Sequence, residues 1–243
     1  MGNRARCMTD PAGLPDPLAE VRDVVAIDGP SGAGKSTVAR ELARRLGFAY
    51  LDTGAMYRAV TWFLLEHQFV DLAHTEELAV LLDRLHLDID ARGHVHLNGR
   101  DVTSHLRSRE VESRVSAVSA VPLVRERMRT LQRQVAARGP VVADGRDMAS
   151  VVFPKARWKF FLDAEPDERA RRRLRDFERG GRDVSLPEVL EELAVRDRLD
   201  STRQDAPLTR TRDAVYYDTT GQSAAEVVEG LLRHVRAADA DRA

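Results

Sequence analysis

Cysteine is almost absent from this chain. Cys7 is its sole thiol, so neither an internal disulfide nor a cysteine-based metal cluster can form, and nothing points to an oxidising compartment. Aromatic residues are sparse at 5%, and no apolar run approaches the roughly 20 residues of a membrane-spanning helix. Trp62–Leu65 is typical of the longest. An excess of one charge is missing too: Lys+Arg 38 against Asp+Glu 39 leaves a formal net charge of -1. Nucleic-acid binding ordinarily needs a basic excess to neutralise phosphates, so that class is excluded. Lysine is rare, with Lys35, Lys155 and Lys159 the only three, which compositional bias explains but which singles out Lys35 for its position. Residues 1–20 carry no apolar signal-peptide core and read as a loose N-terminal extension. These absences predict a cytoplasmic protein with no nucleic-acid and no membrane partner; it is further expected to be a monomer acting on small-molecule substrates. What is present, 243 residues with 43% apolar content, suffices for one domain with an insertion or a small satellite.

Val24–Asp28 is a short apolar run that ends in glycines, and a helical pattern follows over Lys35–Leu46. Phe48–Asp52 and a helix from Ala55 to about His67 repeat the alternation, and Glu76–Leu85 is again helical. Leu87–Asp90 and Val95–Asn98 then alternate by two around Ala91-Arg92-Gly93, which predicts an antiparallel hairpin. Helices are expected at about 107–120 and 123–138, separated by Pro122. Val141–Ala143, Trp158–Leu162 and Ala214–Tyr217 are three more strand runs. Among them lie a helix opening at Pro166 and stopping at Gly180-Gly181, another from Leu186 to about Leu199, and a closing one over Ala224–His234. Strands separated by helices predict an α/β fold with a parallel sheet and right-handed crossovers, and the hairpin is the inserted exception.

Gly29-Pro30-Ser31-Gly32-Ala33-Gly34-Lys35-Ser36-Thr37 matches G-x-x-x-x-G-K-[ST] between a strand and a helix. Its glycines let the backbone turn several N–H groups inward at phosphate oxygens, and the helix that begins there adds a partly positive N-terminus. Lys35 has the reach for the β- and γ-phosphates, and the Ser36 hydroxyl is placed to ligate Mg²⁺. The loop predicts triphosphate binding and leaves the acceptor of any phosphoryl group open. Asp52 or Thr53 suits a helix cap, and Arg58 lies on the carboxyl side of the sheet, where such folds bind ligands. Alone, Arg58 reads equally as an ordinary solvated arginine. Asp144-Gly145-Arg146-Asp147 puts three charges directly after an apolar strand, for which packing gives no reason, although a capping turn does. Arg169, Arg171, Arg172, Arg173, Arg175 and Arg179 fit either a solvated helix face or a mobile lid. His94 and His96 read as hairpin surface rather than metal ligands.

Taken in order, Ile27–Thr37, Leu51–Arg58, Ala143–Met148, Val151–Pro154 and the stretch from Arg196 to Leu208 resemble the bacterial cytidylate kinases over about residues 24–236. The resemblance implies the P-loop kinase fold of nucleoside monophosphate (NMP) kinases, a five-stranded parallel sheet with helices on both faces. It implies one domain over 21–240, with an antiparallel β-containing NMP-binding insert at about 72–107 and a lid at about 168–185. The implied reaction passes the γ-phosphoryl group of ATP, with Mg²⁺, to CMP or dCMP. Arg58, Arg146 and Arg203 match the family's acceptor-phosphate arginines, and Thr53 stands where a hydroxyl residue touches the acceptor. Ser116, Arg125 and Asp147 match the cytosine contacts, and Arg196 and Asp200 the sugar contacts. Without the resemblance, Ser116 and Arg125 read as a polar helix face. With Lys35, the lid arginines Arg172 and Arg173 are the further catalytic candidates. Asp28 and Asp144 are candidates to support the metal from behind, Asp28 equally a brace for the loop. Two positions depart from the family pattern: Ser36 replaces a glycine of many relatives, favouring direct Mg²⁺ ligation, and Leu199 and Ser201 fall where some carry arginines. Two rivals remain open, a P-loop kinase for UMP, AMP or a small metabolite, and a nucleotide switch without an acceptor.

Overall fold

Five apolar runs with helices between them assemble one parallel sheet in a computed structural model that describes residues 23–69, 71–90 and 93–240. The expected extension over 1–20, and Ala91 and Arg92 of the expected hairpin turn, lie outside those residues. The strands are β1 (Val24–Asp28), β2 (Ala49–Asp52), β6 (Val141–Gly145), β7 (Trp158–Asp163) and β8 (Val215–Asp218), in spatial order β2-β6-β1-β7-β8. β1 and β6 are buried at every position, which is why each opens on an unbroken apolar run, Val24–Ile27 and Val141–Ala143. Alternate residues of β1 serve opposite layers. Val25 and Ile27 pack with α1 (Lys35–Leu46) and α8 (Ala224–Ala240) on one face. Val24 and Ala26 face α2 (Thr53–Glu66), α4 (Arg109–Ala120) and α5 (Pro122–Ala136) on the other. The register sets Asp28 beside Gly145 and Asp52 beside Asp144, so three carboxylates end up together at the carboxyl edge of the sheet.

The insert follows α2. It comprises α3 (Thr75–Asp83) and a sheet of β3 (Leu87–Ile89), β4 (Val95–Leu97) and β5 (Arg100–Asp101), all antiparallel. The sequence pattern predicted two of these strands. The third, of two residues, is too short to show a period, yet Asn98-Gly99 before it has φ of 49° and 81°, the signature of a two-residue hairpin turn. α2 starts two residues earlier than its apolar pattern because the Asp52 carboxylate caps it, accepting from Ala55 N at 2.8 Å. α6 (Pro166–Arg179) and α7 (Leu186–Thr202) pack on each other through Ala170, Phe177, Val189 and Leu193. α7 opens with a capping box of Ser185 and Glu188 and runs three residues past the expected end, carrying Arg196 and Asp200 on one helix. Between β6 and β7, Met148–Val152 forms one turn of π-helix that no sequence pattern announced. Among the described residues no helix is long and apolar enough to cross a membrane.

Candidate active site

The loop after β1 keeps its shape because two of its glycines admit no side chain. A Cβ on Gly29 would lie 1.9 Å from the Leu162 carbonyl oxygen of β7, and one on Gly32 would lie 2.7 Å from the Arg169 carbonyl oxygen of α6. Both residues have positive φ, 146° and 80°. Gly34 then precedes α1 without offering a capping side chain, so the first N–H groups of that helix are left to an incoming anion. Lys35 closes the loop, donating from Nζ to the Pro30 carbonyl at 2.6 Å. Burial, followed by the neighbouring Arg146, depresses its pKa well below the usual lysine range.

Behind the loop, Asp144 gathers three hydroxyl groups. Ser36 donates to its Oδ2 at 2.8 Å, Tyr50 to its Oδ1 at 2.9 Å, and Thr53 to its main-chain oxygen at 2.6 Å. Burial and then the Asp52 charge push its carboxyl up to about 6, while Lys35 and the donated hydrogen bonds pull the other way. Because Ser36 spends its proton on Asp144, its oxygen lone pairs are free for a cation. Among the described residues no group of three His, Cys, Asp or Glu side chains is placed to hold a metal ion. Asp28 works elsewhere: its two oxygens accept from Met148 N and Ala149 N, both at 2.8 Å. It braces the π-helical turn rather than the loop, and burial raises its pKa to about 7.

The arginine run of α6 divides by task. Arg169 is structural, donating to the Ser31 carbonyl at 3.1 Å and to Asp197. Arg172 holds Thr219 after β8 through its hydroxyl at 2.9 Å and its carbonyl at 2.7 Å, and the Thr219 hydroxyl lies 3.2 Å from the Ala33 carbonyl. Arg173 reaches across to α4 and donates to Glu112 at 2.5 Å, while Arg58 donates to the other oxygen of Glu112 at 2.9 Å.

Around the far wall every carboxylate is tied to an arginine. Arg125 donates to Asp147 at 2.5 Å with both side chains buried, and Arg203 stands 3.7 Å from Asp147 and from Asp200. Arg146 donates to Asp200 at 2.7 Å. Burial opposes the charge on Arg125, but Asp147 more than compensates and raises its pKa. Burial, then Arg146 and Arg58, hold Arg196 down at about 10. The Nε of Arg196 and the Nη2 of Arg203 are buried without a hydrogen-bond partner. A crowd of cations with unused N–H groups binds anions, since an anion relieves both the repulsion and the unmet donors.

Loop and arginines line one cleft of about 660 Å³. It takes in Ser31, Gly32, Gly34, Lys35, Ser36 and Thr37 from the loop, with Thr53, Arg58, Arg125, Arg146, Asp147, Arg172, Arg173, Arg196, Asp200 and Arg203. Gly29, Pro30 and Ala33 form the back of the loop, outside the lining. Ser116 is apart: it lines an adjoining depression beyond Arg173 and Arg196, whereas Val115 and Ser119 of the same helix line the cleft. Tyr50, Glu112 and Thr219 were not foreseen. Tyr50 sits in an apolar-looking strand, Glu112 in a helix's first turn where acids complement the dipole, and Thr219 in a polar turn.

Cytidylate kinase is the description of the family whose model matches residues 25–237. A cytidylate kinase of Carboxydothermus hydrogenoformans is 49% identical over 211 residues, 86% of this chain and 95% of that one. Another, of Solibacter usitatus, is 48% identical over 88% of this chain and 93% of its own length. A bifunctional pantoate ligase/cytidylate kinase of Prochlorococcus marinus is 45% identical over 90% of this chain but only 43% of that longer protein.

Proposed function

This chain belongs to the cytidylate kinase family, and from that premise we propose that it transfers the γ-phosphoryl group of ATP to CMP or dCMP, giving CDP or dCDP, by Mg²⁺-assisted in-line displacement. The observation that carries the reading is the meeting of the Lys35 loop with an arginine wall in one cleft. One half suits a triphosphate and the other a phosphate dianion. Because the acceptor is already an anionic oxygen, no protein base is required, and catalysis reduces to positioning and charge stabilisation.

In this reading the loop from Gly29 to Thr37 holds the donor phosphates, and Lys35 exchanges the Pro30 carbonyl for a phosphate oxygen. Arg58, Arg146 and Arg203 hold the acceptor phosphate through guanidinium forks, beside the Thr53 hydroxyl. Arg172 and Arg173 stand on the lid side, where they offset charge on the transferring group and exclude water. Arg196 and Asp200 address the sugar. The Arg125–Asp147 pair presents a donor and an acceptor to cytosine, accepting from its amino group and donating to N3. UMP would set a carbonyl against the Asp147 carboxylate, a mismatch of the kind that discriminates strongly. A contact from Ser116 to the base requires α4 to shift on binding, since Ser116 now faces the neighbouring depression. Ser36 would hold Mg²⁺ with Asp144 orienting its hydroxyl. The ion would supply charge neutralisation between the phosphates.

The test is a turnover panel of CMP, dCMP, UMP and AMP with ATP and Mg²⁺. CMP and dCMP are expected to exceed the others by on the order of a hundredfold in kcat/KM. Equal rates with UMP or AMP would remove the cytosine assignments. Steady ATP hydrolysis indifferent to CMP would mark a nucleotide switch instead.

A further inference from the structure

One carboxylate joins the two halves of the cleft, and it belongs to no recognised motif. Glu112 stands in the first turn of α4, with Arg58 of α2 on Oε1 at 2.9 Å and Arg173 of α6 on Oε2 at 2.5 Å. All three side chains are at most 15% exposed, so this is not a surface ion pair of negligible effect. Burial opposes the charge on Glu112, but Arg58 and Arg173 outweigh it and hold the carboxyl at about 2. It is therefore an anion at any working pH.

The geometry divides each guanidinium. Glu112 occupies the Nε edge of Arg58, while Nη1 points back to the start of α2, where a Cβ on Gly54 would come within 3.0 Å of it. Gly54 itself lines the cleft, so the terminal nitrogens of Arg58 remain on the cleft side. Arg173 gives Nη2 to Glu112 and lies over the Phe177 ring at 4.4 Å, which fixes its plane. Arg58 and Arg173 repel one another, as the depressed pKa of Arg173 reflects after burial and the opposing pull of Glu112. The shared Glu112 carboxylate offsets that repulsion and ties both to the same wall.

We infer that Glu112 is a positioning residue that couples the acceptor-side Arg58 to the lid-side Arg173, so that filling the acceptor phosphate site and closing α6 and α7 over the donor reinforce each other. The inference rests on the reading of the cleft as an ATP and CMP site. Coupling of this kind is reciprocal and typically amounts to five- to 150-fold in affinity. A merely structural carboxylate would affect stability without linking the two substrates.

The experiment compares wild type with Glu112→Gln and Glu112→Asp. It reads KM for CMP, KM for ATP, kcat, and the Kd of a non-hydrolysable ATP analogue with and without CMP. Wild type should bind the analogue at least about fivefold tighter when CMP is present. Glu112→Gln should raise KM for CMP about tenfold, a single charge-pair effect, and bring the gain from CMP close to one. Its Kd for the analogue alone should stay within about twofold of wild type. Glu112→Asp, which keeps the charge, should recover part of the coupling. Unchanged coupling in Glu112→Gln, absent coupling in wild type, or an equal rise in both KM values would each overturn the inference. A wild type that turns over CMP while Glu112→Gln behaves identically defeats the inference alone. A wild type inert toward CMP defeats the site reading and the inference with it.

Discussion

Because Lys35 donates to the Pro30 carbonyl at 2.6 Å, a nucleotide that draws the ammonium to its phosphates must break that bond. The exchange is favourable where burial and Arg146 make the charged form costly, since a phosphate compensates far better than a neutral carbonyl. Lys35→Ala should therefore lower kcat by roughly 10²–10³-fold, in line with removal of one preorganised charge-stabilising group. Its unfolding midpoint should stay near that of wild type, because a desolvated charge is removed along with one hydrogen bond. Steady-state kinetics beside thermal melts check both halves; near-normal turnover would refute the phosphate role. At this scale the sequence was most readable where residue type and spacing form one compact motif, as at Gly29, Gly34, Lys35 and Ser36, whose loop geometry the structure reproduces. It was least readable at Glu112, whose task depends on Arg58 and Arg173, 54 and 61 residues away. A helical period announces that Glu112 is not core and says nothing of what it meets.

Among the elements, two glycines at positive φ, one after β1 and one at the end of α1, carry different loads. Gly29, φ 146°, faces the Leu162 carbonyl of β7, whereas Gly47, φ 70° and the C-cap of α1, has nothing within 4 Å of where a Cβ would stand. Gly47→Ala should cost only about 1 kcal/mol, the strain of a non-glycine residue at a C-cap. Gly29→Ala must push the loop off β7, and should abolish binding of ATP as well as lowering stability. Denaturant unfolding and nucleotide titration of the two variants distinguish these outcomes; a Gly29→Ala protein with intact ATP affinity would show that the loop tolerates the displacement. The central strands were legible because a doubly covered strand is largely apolar, as β1 is over Val24–Ile27 and β6 over Val141–Ala143. β5 and the π-helical turn at Met148–Val152 were not, since two residues show no period and the turn is imposed by the Asp28 carboxylate on β1.

Over the whole molecule the charges nearly cancel, with a formal net of -1, yet they are unevenly spread. Twelve lysine and arginine side chains line the cleft against five aspartates, so a positive field is concentrated where anionic substrates enter. Raising ionic strength from about 0.05 to 0.5 M, across which the Debye length falls below 10 Å, should lower kcat/KM for CMP several-fold while kcat changes less. Stopped-time assays over that range test it, and a salt-independent kcat/KM would mean that the field does not reach incoming substrate. Composition hid this polarity, because a count of charges carries no positions.

The strand order has a consequence for engineering. β1 divides the sheet, with β7 and β8 on one side and β2 and β6 on the other. In the chain, residues 49–153 from β2 through the π-helical turn are contiguous, framed before by α1 and after by β7. The acceptor half is thus nearly a cassette, lacking only the Arg196–Arg203 stretch at the end of α7. A graft of that cassette between related chains would carry the Arg125–Asp147 pair proposed to read the base, together with its own hairpin insert. Its main-chain seam would be the β1–β6 ladder, and its side chains would still have to fit Val24 and Ala26 of β1 on one face and α1 on the other.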